Sequence, residues 1–198
     1  MDRKKLMVLL LLVVVCKISP AQNSRVKIGQ SFLFNASFWE GKLIPCWGGE
    51  LAYEFSPAEG ISFSLGGMAH YGFFRKEYDD TPVFLEHDFL IGIQPDFRIH
   101  LQDMYNGFYL GFGGDMKLLV ARNFFPPTPN DPTPTYVGIE MFLGATVGTY
   151  YQLSHQASLN PFFYFGIGNQ NNNEHELNFR LGMNLALNFH KANEKPTQ

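Results

Sequence analysis

The chain has 198 residues, enough for one domain with a sizeable core, and only 17% of them are charged. Residues 1–21 hold four of its 15 basic and one of its 18 acidic residues, so the remainder has a net charge of −6. This acidic balance excludes nucleic acid as an expected partner, because binding to phosphate backbones requires a basic surface.

The N-terminal segment has the three parts of a secretory signal peptide. A charged start is followed by ten apolar residues, Leu6 to Val15, and the small residues Ser19 and Ala21 then flank Pro20. Ten apolar residues are too few for a transmembrane helix, which needs about 20. We therefore predict a signal peptide over residues 1–21, cleaved after Ala21.

The two cysteines bear on export and on cross-linking. A lipoprotein signal with Cys16 as the lipidated residue is the alternative, but Val15 stands where such signals usually have Gly, Ala or Ser. Cys46 is the one cysteine that follows residue 21, so no internal disulfide is expected. Cys46 follows Pro45 in an expected loop, and it is predicted to be a spectator rather than a nucleophile or a metal ligand.

Beyond residue 21 the sequence alternates between apolar and polar or small residues, which is the two-residue period of β-strands. Phe alone occurs 20 times, and no apolar run approaches the length of a transmembrane helix. Eight alternating segments follow one another, at residues 26–39, 47–56, 61–73, 88–99, 108–120, 137–151, 159–167 and 176–190.

One segment contains a proline within the alternating pattern. Pro95 falls on the apolar face of the fourth segment. Because proline has no N–H to donate to a sheet ladder, we expect a local bulge at this position.

The connections between these segments alternate between long and short. Tight turns are predicted at residues 57–60, 101–106 and 154–157, and loops at residues 40–46, 75–83, 123–135 and 169–174. Bacterial membrane barrels have short periplasmic turns, long outer loops and an even number of strands. We therefore predict an all-β fold, an eight-stranded antiparallel up-and-down transmembrane β-barrel over residues 22–190, with a disordered periplasmic tail over residues 191–198.

Glycine indicates which face of the strands lies inside. Gly111, Gly144, Gly182 and other strand glycines lie on the less apolar face. An eight-stranded lumen is just wide enough for side chains, and small residues there make room for large ones. The polar face is therefore predicted to fill the lumen, while the Phe, Leu and Ile face contacts hydrocarbon. A soluble barrel of lipocalin type would have the opposite orientation.

Ionisable side chains are consequently expected inside the barrel, where an unpaired charge is costly. Lys117 and Glu140 are expected at similar heights on adjacent strands, and His70 opposite Asp88 across a hairpin. We predict that these side chains form a structural network of ion pairs that plugs the lumen. Its members are Glu50, Glu54, His70, Asp88, Asp96, Arg98, Asp115, Lys117, Glu140 and Arg180, and Lys27 is expected to face the lumen with them.

The sequence offers little support for catalysis or for a bound cofactor. His70 with Asp88 could serve acid–base chemistry, but no Ser, Cys or Asp nucleophile stands at a matching position. The six histidines lack metal-ligand spacing, and the Gly-rich run at residues 111–114 lies within a strand rather than in a phosphate-binding loop. We expect no catalytic residues, no metal and no cofactor.

The last strand carries a pattern that resembles the targeting signal read by the barrel-assembly machinery. Its residues are Arg180, Gly182, Leu185, Leu187 and Phe189. The stretches at residues 94–98 and 106–111 resemble those of small Bacteroidetes outer-membrane barrels. The chain beyond residue 21 is similar to the OmpA/OmpX-type eight-stranded barrels, although it lacks the C-terminal peptidoglycan-binding domain of OmpA.

This resemblance implies a location in the cell outer membrane, contact with outer-membrane lipid, and assembly by the barrel-assembly machinery as a monomer. The predicted function is that of an integral outer-membrane β-barrel protein with a structural or surface-interaction role, which is not an enzyme. The alternatives are a barrel-embedded lipid A-modifying enzyme and a soluble lipocalin-like ligand-binding barrel.

Overall fold

The computed structural model describes residues 23–37, 42–76, 84–102, 106–124, 135–170 and 174–190. The predicted signal peptide and tail lie outside these residues. The described chain forms eight strands: β1 (Asn23–Ser37), β2 (Lys42–Ala58), β3 (Ile61–Lys76), β4 (Phe84–His100), β5 (Gly107–Phe124), β6 (Thr135–Ser154), β7 (Ala157–Gln170) and β8 (Glu174–His190). None of the described residues belongs to a helix long and apolar enough to span a membrane.

Each strand pairs antiparallel with its neighbours in sequence, and β8 pairs with β1 to close the sheet. The closing ladder is unbroken from Asn23 opposite His190 to Ser37 opposite Glu176. Closure leaves no free strand edge, so every strand has a backbone partner on both sides. The prediction of an eight-stranded up-and-down β-barrel is confirmed.

The orientation of the side chains follows the alternation in the sequence. On β8, Leu181 is 57% exposed on the outer wall, whereas its neighbour Arg180 is 0% exposed. Met183 and Leu185 are likewise exposed, and Asn184 between them is buried. The prediction that the apolar face turns outward and the polar face inward is confirmed, and a lipocalin-type orientation does not fit this barrel.

The connections after β2, β4 and β6, which contain two, six and two residues, lie at the end of the barrel where β1 begins and β8 ends. The turn after β2 consists of Glu59 and Gly60, and Gly60 adopts a φ of 75°, a left-handed conformation that favours glycine. His100 N donates to Gly60 O at 2.8 Å, and Asn188 N donates to Gln156 O at 2.8 Å. We call this the short-turn end and the opposite end the long-connection end.

The strands extend further toward the long-connection end than the sequence predicts. The predicted loop at residues 40–46 is wrong from residue 42 onward, because β2 begins at Lys42 and includes Cys46. The polar segment predicted from residue 75 also begins too early, since β3 continues to Lys76. Backbone pairing continues past the apolar stretch, so the apolar pattern underestimates the length of the strands.

The bulge predicted at Pro95 is wrong. β4 keeps one register with β3 through the pair of Leu65 with Pro95. Its register with β5 is the same on both sides of the proline, with Ile93 opposite Met116 and residue 96 opposite residue 113. Proline removes a ladder hydrogen bond but inserts no residue, so the ladder has a local gap without a shift.

The barrel lumen as the candidate functional site

The lumen is filled by the polar side chains that the strand alternation turns inward. The structure buries all the predicted network residues except Glu50, which is partly exposed. The buried members are Glu54, His70, Asp88, Asp96, Arg98, Asp115, Lys117, Glu140 and Arg180, and Lys27 is buried with them. Ion pairs and hydrogen bonds join most of these residues into two groups, which we call the Glu54 cluster and the Arg180 cluster, and Asp88 and Glu140 are assigned to neither.

The Glu54 cluster lies nearer the short-turn end and is built around one buried carboxylate. Glu54 Oε2 lies 2.9 Å from Arg98 Nη1 and 3.0 Å from Lys27 Nζ. The hydroxyl of Tyr150 donates a hydrogen bond to the same oxygen at 2.7 Å. Because ion pairs and a neutral donor converge on one carboxylate, the charge of Glu54 is compensated without contact with bulk water.

The second oxygen of Glu54 completes this arrangement. Ser62 donates its hydroxyl to Glu54 Oε1 at 2.9 Å, and Arg25 Nε lies 3.5 Å from the same oxygen. Arg98 also reaches Asp96 Oδ2 with its Nε at 2.7 Å. Two carboxylates, Glu54 and Asp96, therefore lie among three basic side chains at this level of the lumen.

Aromatic rings pack against the cations of the Glu54 cluster. The guanidinium carbon of Arg25 lies 4.0 Å from the centre of the Tyr150 ring, and that of Arg98 lies 4.4 Å from the Tyr109 ring. The two tyrosine rings are themselves 5.4 Å apart. Asn160 donates to the Tyr109 hydroxyl at 3.2 Å. The rings fill the space between the ion pairs and fix the arginine side chains by cation–π contact.

The Arg180 cluster lies nearer the middle of the barrel. Arg180 Nε lies 3.1 Å from Glu50 Oε1, and its Nη1 lies 3.2 Å from Asp115 Oδ2. Ser31 donates to Glu50 Oε1 at 2.6 Å and lies 2.7 Å from His70 Nε2. One arginine on β8 is thereby linked to β5 and β2, so the cluster spans the width of the lumen.

The two predicted pairs have different outcomes. Lys117 and Glu140 are direct register partners on β5 and β6. The Lys117 ammonium lies 3.8 Å from Asp115 and 4.4 Å from the centre of the Phe142 ring. His70 is not opposite Asp88, as predicted, because the register places His70 opposite residue 90 and Asp88 opposite residue 72.

An apolar layer lies in the lumen toward the long-connection end. Leu33, Cys46, Leu90 and Leu119 are all buried and form one cluster. Leu33 and Cys46 are register partners on β1 and β2. The layer lies between the two polar clusters and the long-connection end, and its three leucines form one buried cluster with the thiol of Cys46.

Arg25, His100 and Tyr150 are three of the buried lumen residues that the predicted network did not include. Each lies two positions nearer the short-turn end than an inward-facing residue of its own strand. Arg25 follows this rule from Lys27 on β1, His100 from Arg98 on β4, and Tyr150 from residue 148 on β6. All three are buried and contact Glu54. The alternation itself was the signal that could have identified them.

The lumen offers limited chemistry. In the described part of the chain, no group of three or more His, Cys, Asp or Glu side chains is placed to hold a metal ion.

The residues predicted as an assembly signal are divided between the two faces of β8, with Arg180 inside and Leu185, Leu187 and Phe189 exposed on the outer wall. Their role in targeting stays a prediction.

Comparison with known proteins supports the fold. No family model matches the sequence, and no curated protein shows significant similarity to it. Among solved structures, Neisserial surface protein A superposes with a TM-score of 0.59 at 11% identity, over 84% of this chain and 97% of that one. The outer membrane protein OprG from Pseudomonas aeruginosa superposes with a TM-score of 0.56 at 10% identity, over 86% and 97%.

The attachment invasion locus protein Ail of Yersinia pestis, in complex with the heparin analogue sucrose octasulfate, is a further match. Its TM-score is 0.54 at 9% identity, over 83% of this chain and 98% of that one. At these identities the likeness shows the fold alone. The chain has the small eight-stranded barrel fold that these outer-membrane proteins share.

Proposed function

We propose that this chain is an integral outer-membrane β-barrel protein with a structural or surface-interaction role. The observation that supports this most strongly is the polarity of the two faces of the sheet. The outer wall exposes a continuous set of large apolar side chains, including Phe32, Leu51, Ile91, Leu143 and Leu181. A surface of this extent is stable in hydrocarbon and unfavourable in water.

The filled lumen favours a structural role over a channel. The Glu54 and Arg180 clusters join strands across the interior by ion pairs at 2.9 to 3.2 Å. The apolar layer of Leu33, Cys46, Leu90 and Leu119 adds a second barrier, because apolar constrictions oppose the passage of water and ions. We infer that these two features hold the lumen closed.

A surface-interaction role is supported by the arrangement of the connections. The two longest connections, of seven residues after β3 and ten after β5, emerge at the same end, and bacterial barrels display their long loops to the outside. Ail, which has the same fold, is an attachment invasion locus protein crystallised with a heparin analogue. We propose that the long connections of this chain supply its contacts with molecules outside the cell.

The lipid A-modifying enzyme is the weaker alternative. His70 and Asp88, the pair considered for acid–base chemistry, are buried in the lumen, whereas a membrane lipid would contact the outer wall. Deletion of the gene is therefore expected to leave the mass spectrum of lipid A unchanged. A change of mass that the intact gene restores would favour the enzyme.

Localisation is tested by fractionation and gel mobility. The protein is expected in the outer-membrane fraction, resistant to alkaline carbonate, and the unheated sample should migrate faster than the boiled one. Recovery in the soluble periplasmic fraction would contradict the proposal.

Conductance tests the closed lumen. The wild-type barrel in planar bilayers is expected to show no steady conductance, and Arg180→Ala, which removes the centre of its cluster, should introduce one. Heat-modifiable mobility of the variant verifies that it has folded. A large steady conductance that is identical in both proteins would show that the network does not close the lumen.

We further propose that β8 directs assembly. Phe189, at the end of β8, is exposed and is expected to contribute to recognition by the barrel-assembly machinery rather than to stability. Phe189→Ala should lower the amount of barrel inserted in cells while refolding into detergent micelles stays normal. Equal loss in both measurements would assign Phe189 to stability instead.

A further inference from the structure

One polar side chain interrupts the apolar row that β1 presents on the outer wall. Gln30 is exposed, and its outward neighbours on the strand, Ile28 and Phe32, are 54% and 52% exposed. β1 runs from residue 23 to residue 37, so Gln30 is seven residues from either end of the strand. A carboxamide is therefore placed near the middle of the wall, at the depth where the proposed location puts acyl chains.

The amide of Gln30 has hydrogen-bonding capacity that the barrel does not use. It offers two N–H donors and a carbonyl acceptor. No hydrogen bond joins it to any other residue in the part of the chain that the structure describes. Acyl chains offer no partner either, and an amide left unsatisfied in an apolar medium costs free energy. The position therefore calls for a polar partner from outside the barrel.

Small residues continue the row from Gln30 across the next two strands. Gln30 is the register partner of Gly49 on β2, and Gly49 is the register partner of Ala69 on β3. Gly67 lies two residues along β3 from Ala69, and all three small residues are exposed. Because directly opposed residues lie about 5 Å apart, the row forms a low strip about 10 Å wide beside the amide. We call Gln30, Gly49, Gly67 and Ala69 the β1–β3 patch.

The fold of the barrel does not explain the two glycines of the β1–β3 patch. A Cβ at Gly49 would have its nearest contact at 3.7 Å, and one at Gly67 at 4.0 Å, which are ordinary distances. On the inward face, by contrast, a Cβ at Gly48 would lie 2.0 Å from a backbone oxygen. Glycine weakens a strand, and it often marks a place where another backbone approaches closely. The outward glycines therefore indicate a neighbour outside the barrel.

A second copy of the chain supplies what the β1–β3 patch lacks. Barrels inserted in one orientation can form a closed dimer about an axis along the membrane normal, and each residue then meets residues at its own depth. Two Gln30 amides on either side of this axis have complementary partial charges, since each donates an N–H to the carbonyl of the other. Gly49 and Ala69 let the two walls approach closely, as small residues do between membrane helices.

We propose that this chain forms a two-fold symmetric dimer in the outer membrane, through β1, β2 and β3, with the two Gln30 amides paired at its centre. A second copy is favoured over an acyl chain because hydrocarbon offers the amide no hydrogen bond. It is favoured over a different membrane protein because symmetry alone provides the matching amide at the same depth. The inference rests on the proposed outer-membrane location, and it departs from the monomer that the sequence resemblance implies.

The first test measures the part played by the amide. Purified full barrels labelled with a donor or an acceptor dye are mixed in phospholipid vesicles, and energy transfer is recorded at falling ratios of protein to lipid. Gln30→Leu should weaken dimerisation about tenfold, the size expected for loss of two hydrogen bonds between membrane segments. Gln30→Asn retains an amide and should weaken it less. A Gln30→Leu barrel that dimerises as tightly as the wild type would overturn the inference.

A matched pair of alanines tests the close approach of the walls. Ala69→Leu adds bulk within the β1–β3 patch and should abolish energy transfer. Ala145→Leu makes the same change at an outward position of β6, which lies across the barrel from β2, and it should leave dimerisation at the wild-type level. Equal effects of the two substitutions would overturn the inference, and so would a folded wild type that is monomeric at every ratio of protein to lipid.

Failure of the proposed location gives a separate result. Wild type and every variant are first assayed for heat-modifiable mobility in the outer-membrane fraction. Absence of the wild type from that fraction overturns the proposed function and the dimer together. Correct insertion without dimerisation overturns the dimer alone, and a complex with a different protein that Gln30→Leu disrupts would assign the patch to that protein instead.

Discussion

The hydroxyl of Tyr150 donates a hydrogen bond of 2.7 Å to Glu54 Oε2 across the full width of the lumen. Tyr150 lies on β6 and Glu54 on β2, which are on opposite sides of the closed sheet and 96 residues apart in sequence. Such a contact joins two walls that share no backbone hydrogen bonds. The lumen side chains therefore connect the barrel across its interior, in addition to the ladders that run around it.

Tyr150→Phe tests this connection while keeping the ring that packs on Arg25. Loss of a hydrogen bond to a buried charged group is expected to lower the free energy of unfolding by about 1.5–3 kcal/mol. The measurement is a urea titration of the barrel in phospholipid vesicles. Tyr151→Phe is the control, because Tyr151 is exposed on the outer wall and should tolerate the change. Equal effects of the two substitutions would contradict the role of Tyr150.

Glu54→Gln should be more damaging than Tyr150→Phe. It keeps the shape of the side chain but removes the charge that compensates Arg25, Lys27 and Arg98. Loss of one member of a buried ion pair is expected to cost about 3–5 kcal/mol, because the partners stay buried and uncompensated. The same titration measures the loss.

The control for Glu54→Gln is Glu59→Gln, which makes the identical chemical change in an exposed turn. It should alter the free energy of unfolding by less than about 0.5 kcal/mol. A Glu54→Gln barrel as stable as wild type would show that the cluster contributes little to stability. The conductance of the variant then tells whether it still closes the lumen.

The sequence predicted the wall of this barrel better than the contents of its lumen. The two-residue alternation assigns each side chain to a face, so Leu181 and Arg180 could be placed from the pattern alone. The alternation does not give the stagger between strands, which decides which inward residues meet. The contact between Tyr150 and Glu54 depends on that stagger, and it was not predicted.

The errors in the sequence prediction have the same physical origin. His70 was expected opposite Asp88, but the register of a hairpin depends on where its strands end, and β3 and β4 extend beyond their apolar stretches. Cys46 was assigned to a loop because the sequence around Pro45 has no clear alternation, although backbone pairing with β1 continues there. Hydrophobic periodicity reports side-chain environment and is insensitive to hydrogen bonding at strand ends.

Leu181→Arg tests the orientation of the outer wall in the membrane. Leu181 lies near the middle of β8, and an arginine at the bilayer midplane is expected to cost about 2–4 kcal/mol of barrel stability. Phe189→Arg, at the end of the same strand and on the same face, should cost about 0–1 kcal/mol because the cost falls toward the interface. Urea titrations in vesicles provide both values. Costs independent of depth would contradict a membrane-spanning wall.

The apolar layer of the lumen can be tested through its own cysteine. Cys46 is 2% exposed and lies among Leu33, Leu90 and Leu119. In the folded barrel lacking residues 1–21, Cys46 is expected to resist a membrane-impermeant maleimide, and it should react fully after unfolding. The mass increase of the single thiol, followed with time, measures its accessibility.

Two adjacent leucines on β5 supply a matched pair of substitutions. Leu119→Ala removes part of the layer and leaves a cavity beside Cys46, so labelling of the thiol should become faster. Leu118→Ala makes the same change on the outer wall, where Leu118 is exposed, and it should leave the labelling rate at the wild-type value. Rapid labelling of the wild type, or equal rates in the two variants, would show that the layer does not seal the lumen. Because only the residue that faces Cys46 is expected to matter, the comparison separates a local seal from a general loss of stability.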